Sequence, residues 1–76
     1  MKKNIWYIPC TPGGTALIYS AGSLGWNLTL ASRSRNRAIW NVVADAAHMP
    51  YQQSWKVMQR RGYTIERWEM PKGWKP

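Results

Sequence analysis

Polar and apolar residues alternate most regularly in residues 24–30. Every second residue there is large and apolar, and the residues between them are small or polar. The apolar positions are Leu24, Trp26, Leu28 and Leu30. A period of two is typical of a strand with one buried and one solvated face. The segment is therefore predicted as a strand whose leucine face needs a covering layer.

Two earlier segments are also predicted as strands. Residues 4–8 are rich in β-branched and aromatic residues and stop before Pro9, and residues 15–20 have a similar character. The sequence Thr-Pro-Gly-Gly at residues 11–14 favours a turn, because proline presets one φ and glycine permits a positive one. The two segments are expected to form a hairpin, with a further turn at residues 21–23.

The apolar spacing then changes to that of a helix. Residues at i, i+3, i+4, i+7 and i+8 form one stripe, which consists of Ile39, Val42, Val43, Ala46 and Ala47. Polar residues occupy the other side, namely Arg37, Asn41, Asp45 and His48. Ser34, with Ser32 as the alternative, is the predicted N-cap, and Pro50 is expected to end the helix.

A second helix is predicted over residues 51–61, followed by a last strand over residues 63–70. Tyr51, Trp55 and Met58 share the apolar face of this helix. Gly62 is suited to close it in the left-handed conformation, and Pro71 ends the strand.

These elements predict a single small α+β domain over residues 1–70. The order is β-β-β-α-α-β, and the expected architecture is a small antiparallel sheet with the two helices packed on one face. The last strand is expected to pair beside the first. Residues 71–76 are predicted to be a flexible basic tail.

The composition points to nucleic acid. The 76 residues carry 11 Lys and Arg against three acids, a net charge of +8, together with six tryptophans and four tyrosines. Cationic side chains attract phosphates, and flat rings stack on bases. One cysteine and one histidine give neither an intrachain disulfide nor a zinc cluster, so no cofactor is expected. Without a leader sequence or a membrane-spanning run, the protein is predicted to be cytoplasmic.

Catalytic residues are scarce. His48 is the single histidine, Cys10 lies beside a turn, and Glu66 and Glu69 are three apart on a predicted strand, so they face opposite sides. Nucleophilic catalysis needs several groups within reach of one another. A non-enzymatic protein is therefore predicted. A small ribonuclease toxin, with His48 beside an arginine, is the enzymatic alternative.

The predicted binding residues lie in three groups. Arg33, Arg35 and Arg37 would share one side if that stretch were extended, at a spacing of about 6.6 Å that suits neighbouring phosphates. Four more cations follow along the chain, at Lys56, Arg60, Arg61 and Arg67. Trp40 and Trp74 are the rings expected to be accessible. The helices on either side of Pro50 also have the outline of a helix-turn-helix, a weaker alternative because the turn lacks its usual glycine.

The sequence thus predicts a small basic module that binds nucleic acid mainly through phosphate-backbone contacts. The alternative is a protein-interaction factor, such as a phage-encoded inhibitor or adaptor that targets a host nucleic-acid-handling complex. In that case the same arginines would meet an acidic patch or a nucleic-acid channel on the partner, and Trp40 and Trp74 would be anchors. DNA versus RNA, sequence preference and homodimer formation stay open at this level.

Overall fold

The computed structural model describes residues 3–19, 29–46 and 54–76. These contain two strands and two helices in the order β1 (Asn4–Cys10), α1 (Arg35–Ala46), α2 (Trp55–Arg60) and β2 (Thr64–Met70). The chain is therefore a small α+β protein, as predicted. The three-strand start of the predicted order is not found in the described residues.

The strands β1 and β2 form an antiparallel sheet. Asn4 lies opposite Met70 at one end and Cys10 lies opposite Thr64 at the other, so the predicted pairing of the first and last strands is confirmed. The prediction that β1 ends before Pro9 is wrong by two residues. Although Pro9 has no N–H to donate, its carbonyl accepts the N–H of Leu17 at 2.7 Å, and it keeps its place opposite Ile65.

The second predicted strand, residues 15–20, is not a strand in its described part. Ala16 forms an isolated bridge with Cys10, whereas Tyr19 forms one with Thr29. Because these bridges lead to different partners, no continuous ladder develops. The predicted turn at residues 11–14 is present, since the N–H of Gly14 donates to the carbonyl of Thr11 at 2.9 Å.

Most of the third predicted strand lies outside the described residues. At its end, Thr29 is exposed and Leu30 is buried, in agreement with the predicted alternation. The chain then reaches the free edge of β1, where Tyr7 and Ser32 exchange backbone hydrogen bonds of 2.7 and 3.0 Å. This contact brings the residues that begin α1 next to β1.

Helix α1 begins after Ser34, which is confirmed as its N-cap. The Ser34 hydroxyl accepts the N–H of Arg37 at 3.4 Å. Ala38 and Val42 are fully buried. Asn41 was predicted to face water but is half-buried, because its side-chain amide donates to the carbonyl of Leu30 at 3.1 Å. Ala47, His48 and Pro50 and the side chains of Asp45 and Ala46 lie outside the described residues.

Helix α2 starts at Trp55 instead of near residue 51. Ser54 is extended, with φ −107° and ψ 158°, and its hydroxyl caps the helix by accepting the N–H of Val57 at 3.3 Å. Residues 51–53 lie outside the described part. Gly62 has a φ of 102°, which confirms the predicted left-handed closure.

Two apolar clusters stabilise the fold. In the first, Ile8, Cys10 and Ala31 are buried, and Trp6 and Trp68 pack against them. The second joins the helices through the buried side chains of Val42 and Met58, and Leu17, Val43, Trp55 and Tyr63 pack around them. Trp55 is half-buried there, as its predicted apolar position indicated, whereas Trp26 lies outside the described residues.

Candidate nucleic-acid interface

Trp6 on β1 is the centre of a group of flat side chains. The guanidinium carbon of Arg33 lies 4.4 Å from the centroid of the Trp6 ring, a cation–π distance. The ring of Trp74 meets Trp6 edge to face, with centroids 5.6 Å apart and planes at 78°. We call these three side chains the Trp6 stack. It unites Arg33 and Trp74, two of the predicted binding residues, around a ring to which the sequence assigned no role.

Asn4 holds the Trp6 stack in place. Its side-chain oxygen accepts the indole N–H of Trp6 at 2.9 Å. Its amide donates to the carbonyls of Pro71 and Trp74, at 2.8 and 3.1 Å. One side chain thus ties the start of β1 to the segment after β2, and Trp74 is half-buried there.

A cavity of about 650 Å³ opens beside this arrangement. It contains the side chains or backbone of three cationic residues, Lys3, Arg33 and Lys72, and of one acid, Glu69. The remaining lining residues are Asn4, Met70 and Gly73. We call these seven residues the basic pocket. The excess of cations gives the pocket a positive potential, and its volume falls in the range of about 300–1,000 Å³ that is usual for small-molecule sites.

The three clustered arginines do not line up along an extended strand, as one interpretation of the sequence required. Arg33 precedes the cap, whereas Arg35 and Arg37 are the first and third residues of α1. Residues two apart on a helix do not face each other, so Arg35 and Arg37 point in different directions. All three are exposed, but Arg33 alone lines the basic pocket.

Arg37 is instead paired with Trp40 on the surface of α1. Its guanidinium carbon lies 4.8 Å from the centroid of the Trp40 ring. Trp40 is 60% exposed, the most exposed of the large apolar side chains in the described residues. Trp40 is thus accessible as expected, whereas Trp74, which was also expected to be accessible, is half-buried against Trp6.

The other predicted cations lie on different elements. Lys56, Arg60 and Arg61 are exposed on α2 and at its C-terminal end. Arg67 is exposed on β2 opposite Tyr7, so strand alternation puts it on the face of the sheet opposite Trp6. None of these four lines the basic pocket.

Lys3 and Lys72 are pocket residues that the sequence did not single out. Lys72 belongs to the segment predicted to be a flexible basic tail, and Lys3 has no role in the sequence-based interpretation. The signal that could have located them is the predicted pairing of the first and last strands, which brings residues just before β1 close to residues just after β2.

Cys10 is a poor nucleophile in this environment. It is buried, and its thiol donates to a carboxylate oxygen of Glu66 at 3.3 Å. Burial first, and then the hydrogen bond and negative charge of Glu66, raise the pKa of the Cys10 thiol to about 11. The thiol is therefore protonated at neutral pH.

Neither a membrane helix nor a group of three metal-binding side chains occurs in residues 3–19, 29–46 and 54–76. No helix there is long and apolar enough to cross a bilayer. No three His, Cys, Asp or Glu side chains of this part of the chain come together in a way that could hold a metal ion.

Comparisons with protein-family models, with curated proteins and with solved structures find no match to this chain.

Proposed function

We propose that the protein is a small, non-enzymatic module that binds nucleic acid mainly through its phosphates. The basic pocket carries this proposal, because Lys3, Arg33 and Lys72, from three separate parts of the chain, all line it. Cations drawn together in a concave site attract phosphate more strongly than the same cations spread over a surface. The net charge of +8 adds attraction at longer range.

The Trp6 stack supports the same function. The guanidinium carbon of Arg33 lies over the Trp6 ring, and the five N–H donors of a guanidinium extend outward from that carbon. Arg33 can therefore keep its contact with Trp6 and still donate to a phosphate in the pocket. The exposed cations of α1, α2 and β2, among them Arg35, Lys56, Arg60, Arg61 and Arg67, would strengthen binding without forming its centre.

Two triple variants of equal charge change test the proposal. Replacing Lys3, Arg33 and Lys72 with Ala should weaken the binding of a short oligonucleotide strongly. It should also reduce the slope of log affinity against log salt concentration by about 2–3, because roughly 0.7–0.9 of an ion is released for each phosphate contact. Fluorescence titration at several salt concentrations measures both quantities.

The control replaces Lys56, Arg60 and Arg61 with Ala, which removes the same charge from α2. This control should lose clearly less affinity than the pocket variant. An equal loss in the two variants would mean that binding follows total charge and that the pocket is not the site. No binding by the unmodified protein, even at low salt, would refute the proposed function itself.

A protein-interaction factor is the second candidate, and the exposed rings favour it. Trp40 and Tyr19 are 60% and 51% exposed, and aromatic residues next to arginines are common anchors of protein interfaces. In this case the protein would be an inhibitor or adaptor, of the kind that phages encode, acting in the cytoplasm on a host nucleic-acid-handling complex. Absence of oligonucleotide binding together with a stable complex with such a partner would favour it.

A further inference from the structure

Trp40 is the most exposed large apolar side chain in the described residues. Helix α1 packs through Ala38 and Val42, which are buried, and Trp40 belongs to neither apolar cluster. A single exposed apolar side chain is common on protein surfaces. Trp40 is also paired with a cation, Arg37, and this pairing makes it a candidate for ligand contact.

Arg37, which contacts the Trp40 ring, indicates which class of ligand could bind there. The guanidinium carbon of Arg37 lies over the Trp40 ring, 4.8 Å from its centroid, so the pair combines an aromatic ring with a cationic hydrogen-bond donor. A nucleotide has the complementary arrangement, with a flat base next to a phosphate. An acidic peptide would match the cation but would leave the aromatic surface without a stacking partner.

Stacking of a base on the Trp40 ring would also distinguish single strands from duplexes. In a duplex the faces of the bases are stacked on one another, and the phosphates form the outer surface. A ring on the side of a helix can therefore stack only on a base that is unpaired and accessible. The phosphate contacts of the basic pocket, in contrast, suit either form of nucleic acid.

The two sites are close along the chain. Arg33 lines the basic pocket, and Arg37 follows four positions later, in the first turn of α1. Each of these arginines lies over a tryptophan ring, at 4.4 and 4.8 Å. Trp6 is half-buried under its arginine and beside Trp74, whereas Trp40 is largely open. This contrast assigns phosphate binding to the first pair and base stacking to the second.

We propose that the ligand is single-stranded nucleic acid, with a phosphate in the basic pocket and a base stacked on Trp40 beside Arg37. This inference rests on the proposed nucleic-acid-binding function and specifies its ligand. It gives a common ligand to Arg33, which lines the pocket just before α1, and to Trp40, which is exposed on that helix.

The test compares a twelve-nucleotide single strand with the corresponding duplex at near-physiological salt. The unmodified protein should bind the single strand more tightly. Replacing Trp40 with Leu should reduce affinity for the single strand about tenfold, within the range measured for loss of one stacked base, and should change duplex affinity less than about twofold. Replacing Trp40 with Phe, which keeps a ring, should preserve most of the single-strand affinity.

A Tyr19→Leu variant is the matched control, since it removes a comparably exposed ring from a different segment. It should leave both affinities unchanged. Equal losses for single strand and duplex in Trp40→Leu, or no loss at all, would overturn the inference. If binding still depends on the pocket cations in that case, the proposed function stands. Absence of binding to either oligonucleotide would refute both and would leave Trp40 as an anchor for a protein.

Discussion

Cys10 shows how the surroundings of one side chain determine its chemistry. The sequence places it between Pro9 and a turn, and the fold buries it against Ile8 and Ala31. The carboxylate of Glu66 then accepts a hydrogen bond from the thiol, at 3.3 Å. Burial and a neighbouring negative charge both disfavour the thiolate.

This environment predicts a loss of stability at alkaline pH. The pKa of Cys10 is raised from 9.0 to about 11, so the unfolded chain gives up this proton at lower pH than the folded one. The contribution of the protonated Cys10 thiol to the free energy of unfolding is therefore complete below pH 9. It is lost as the pH rises toward 11, on the order of 2–3 kcal/mol in all. Urea unfolding at several pH values measures it.

A Cys10→Ala variant separates this effect from the titration of lysines and tyrosines. Its free energy of unfolding should fall less steeply between pH 9 and 11 than that of the unmodified protein. Parallel curves for the two proteins would contradict the raised pKa.

Two glycines with positive φ, one in the turn after β1 and one after α2, lie in different surroundings. Gly14, in the turn after β1, has a φ of 87°, and an added Cβ there would meet no atom within 4 Å. Gly62, after α2, has a φ of 102°, and its Cβ would lie 3.1 Å from the Cβ of Pro12. The end of α2 thus packs closely against the turn after β1.

The two glycines predict different costs of substitution by alanine. Gly14→Ala should destabilise the protein by about 1–2 kcal/mol, the cost of a side chain at positive φ. Gly62→Ala should cost about 1–3 kcal/mol more, since Pro12 must also move. Chemical denaturation of both variants measures the difference. Equal losses would show that the contact with Pro12 yields without cost.

Hydrogen bonds join the start of β1 to the segment that follows β2. Asn4, at the start of β1, donates to the carbonyls of Pro71 and Trp74, which lie 67 and 70 positions later. Trp6 and Trp74 are in contact at the same place. These contacts join Pro71 and Trp74 to β1, whereas the sequence predicts that residues 71–76 are a flexible tail.

Asn4→Ala should release this segment. Two lost hydrogen bonds of roughly 0.5–1.5 kcal/mol each would raise the population of the undocked segment about 5- to 150-fold. Trypsin should then cut the bond after Lys72 faster, because cleavage follows the open population. Asn36→Ala, at an exposed asparagine of α1, is the control and should cleave at the original rate. If Asn4→Ala also cleaves at that rate, the segment is already mobile, as the sequence predicts.

Local patterns predicted the elements better than the site. Helix α1, its serine cap and the glycine that closes α2 depend on neighbouring residues, and all three are found. Residues 15–19 bridge to neighbouring predicted strands, at Cys10 of β1 and at Thr29, but both bridges are isolated and no continuous ladder forms. The basic pocket depends on the pairing of β1 with β2, which the sequence predicts, but no local pattern marks Lys3 and Lys72 as the residues that this pairing brings together.

The pairing of β1 with β2 also has a kinetic consequence. Cys10 and Thr64 are 54 positions apart, and Asn4 and Met70 are 66 apart, so every pair in this sheet closes a long loop. Contacts of this kind incur their entropy cost before any stabilisation is gained, and they slow folding. During synthesis on the ribosome, β1 cannot pair with β2 until β2 has been synthesised and has left the exit tunnel. The surface proposed to bind nucleic acid is therefore completed late, and a partly synthesised chain does not yet display it.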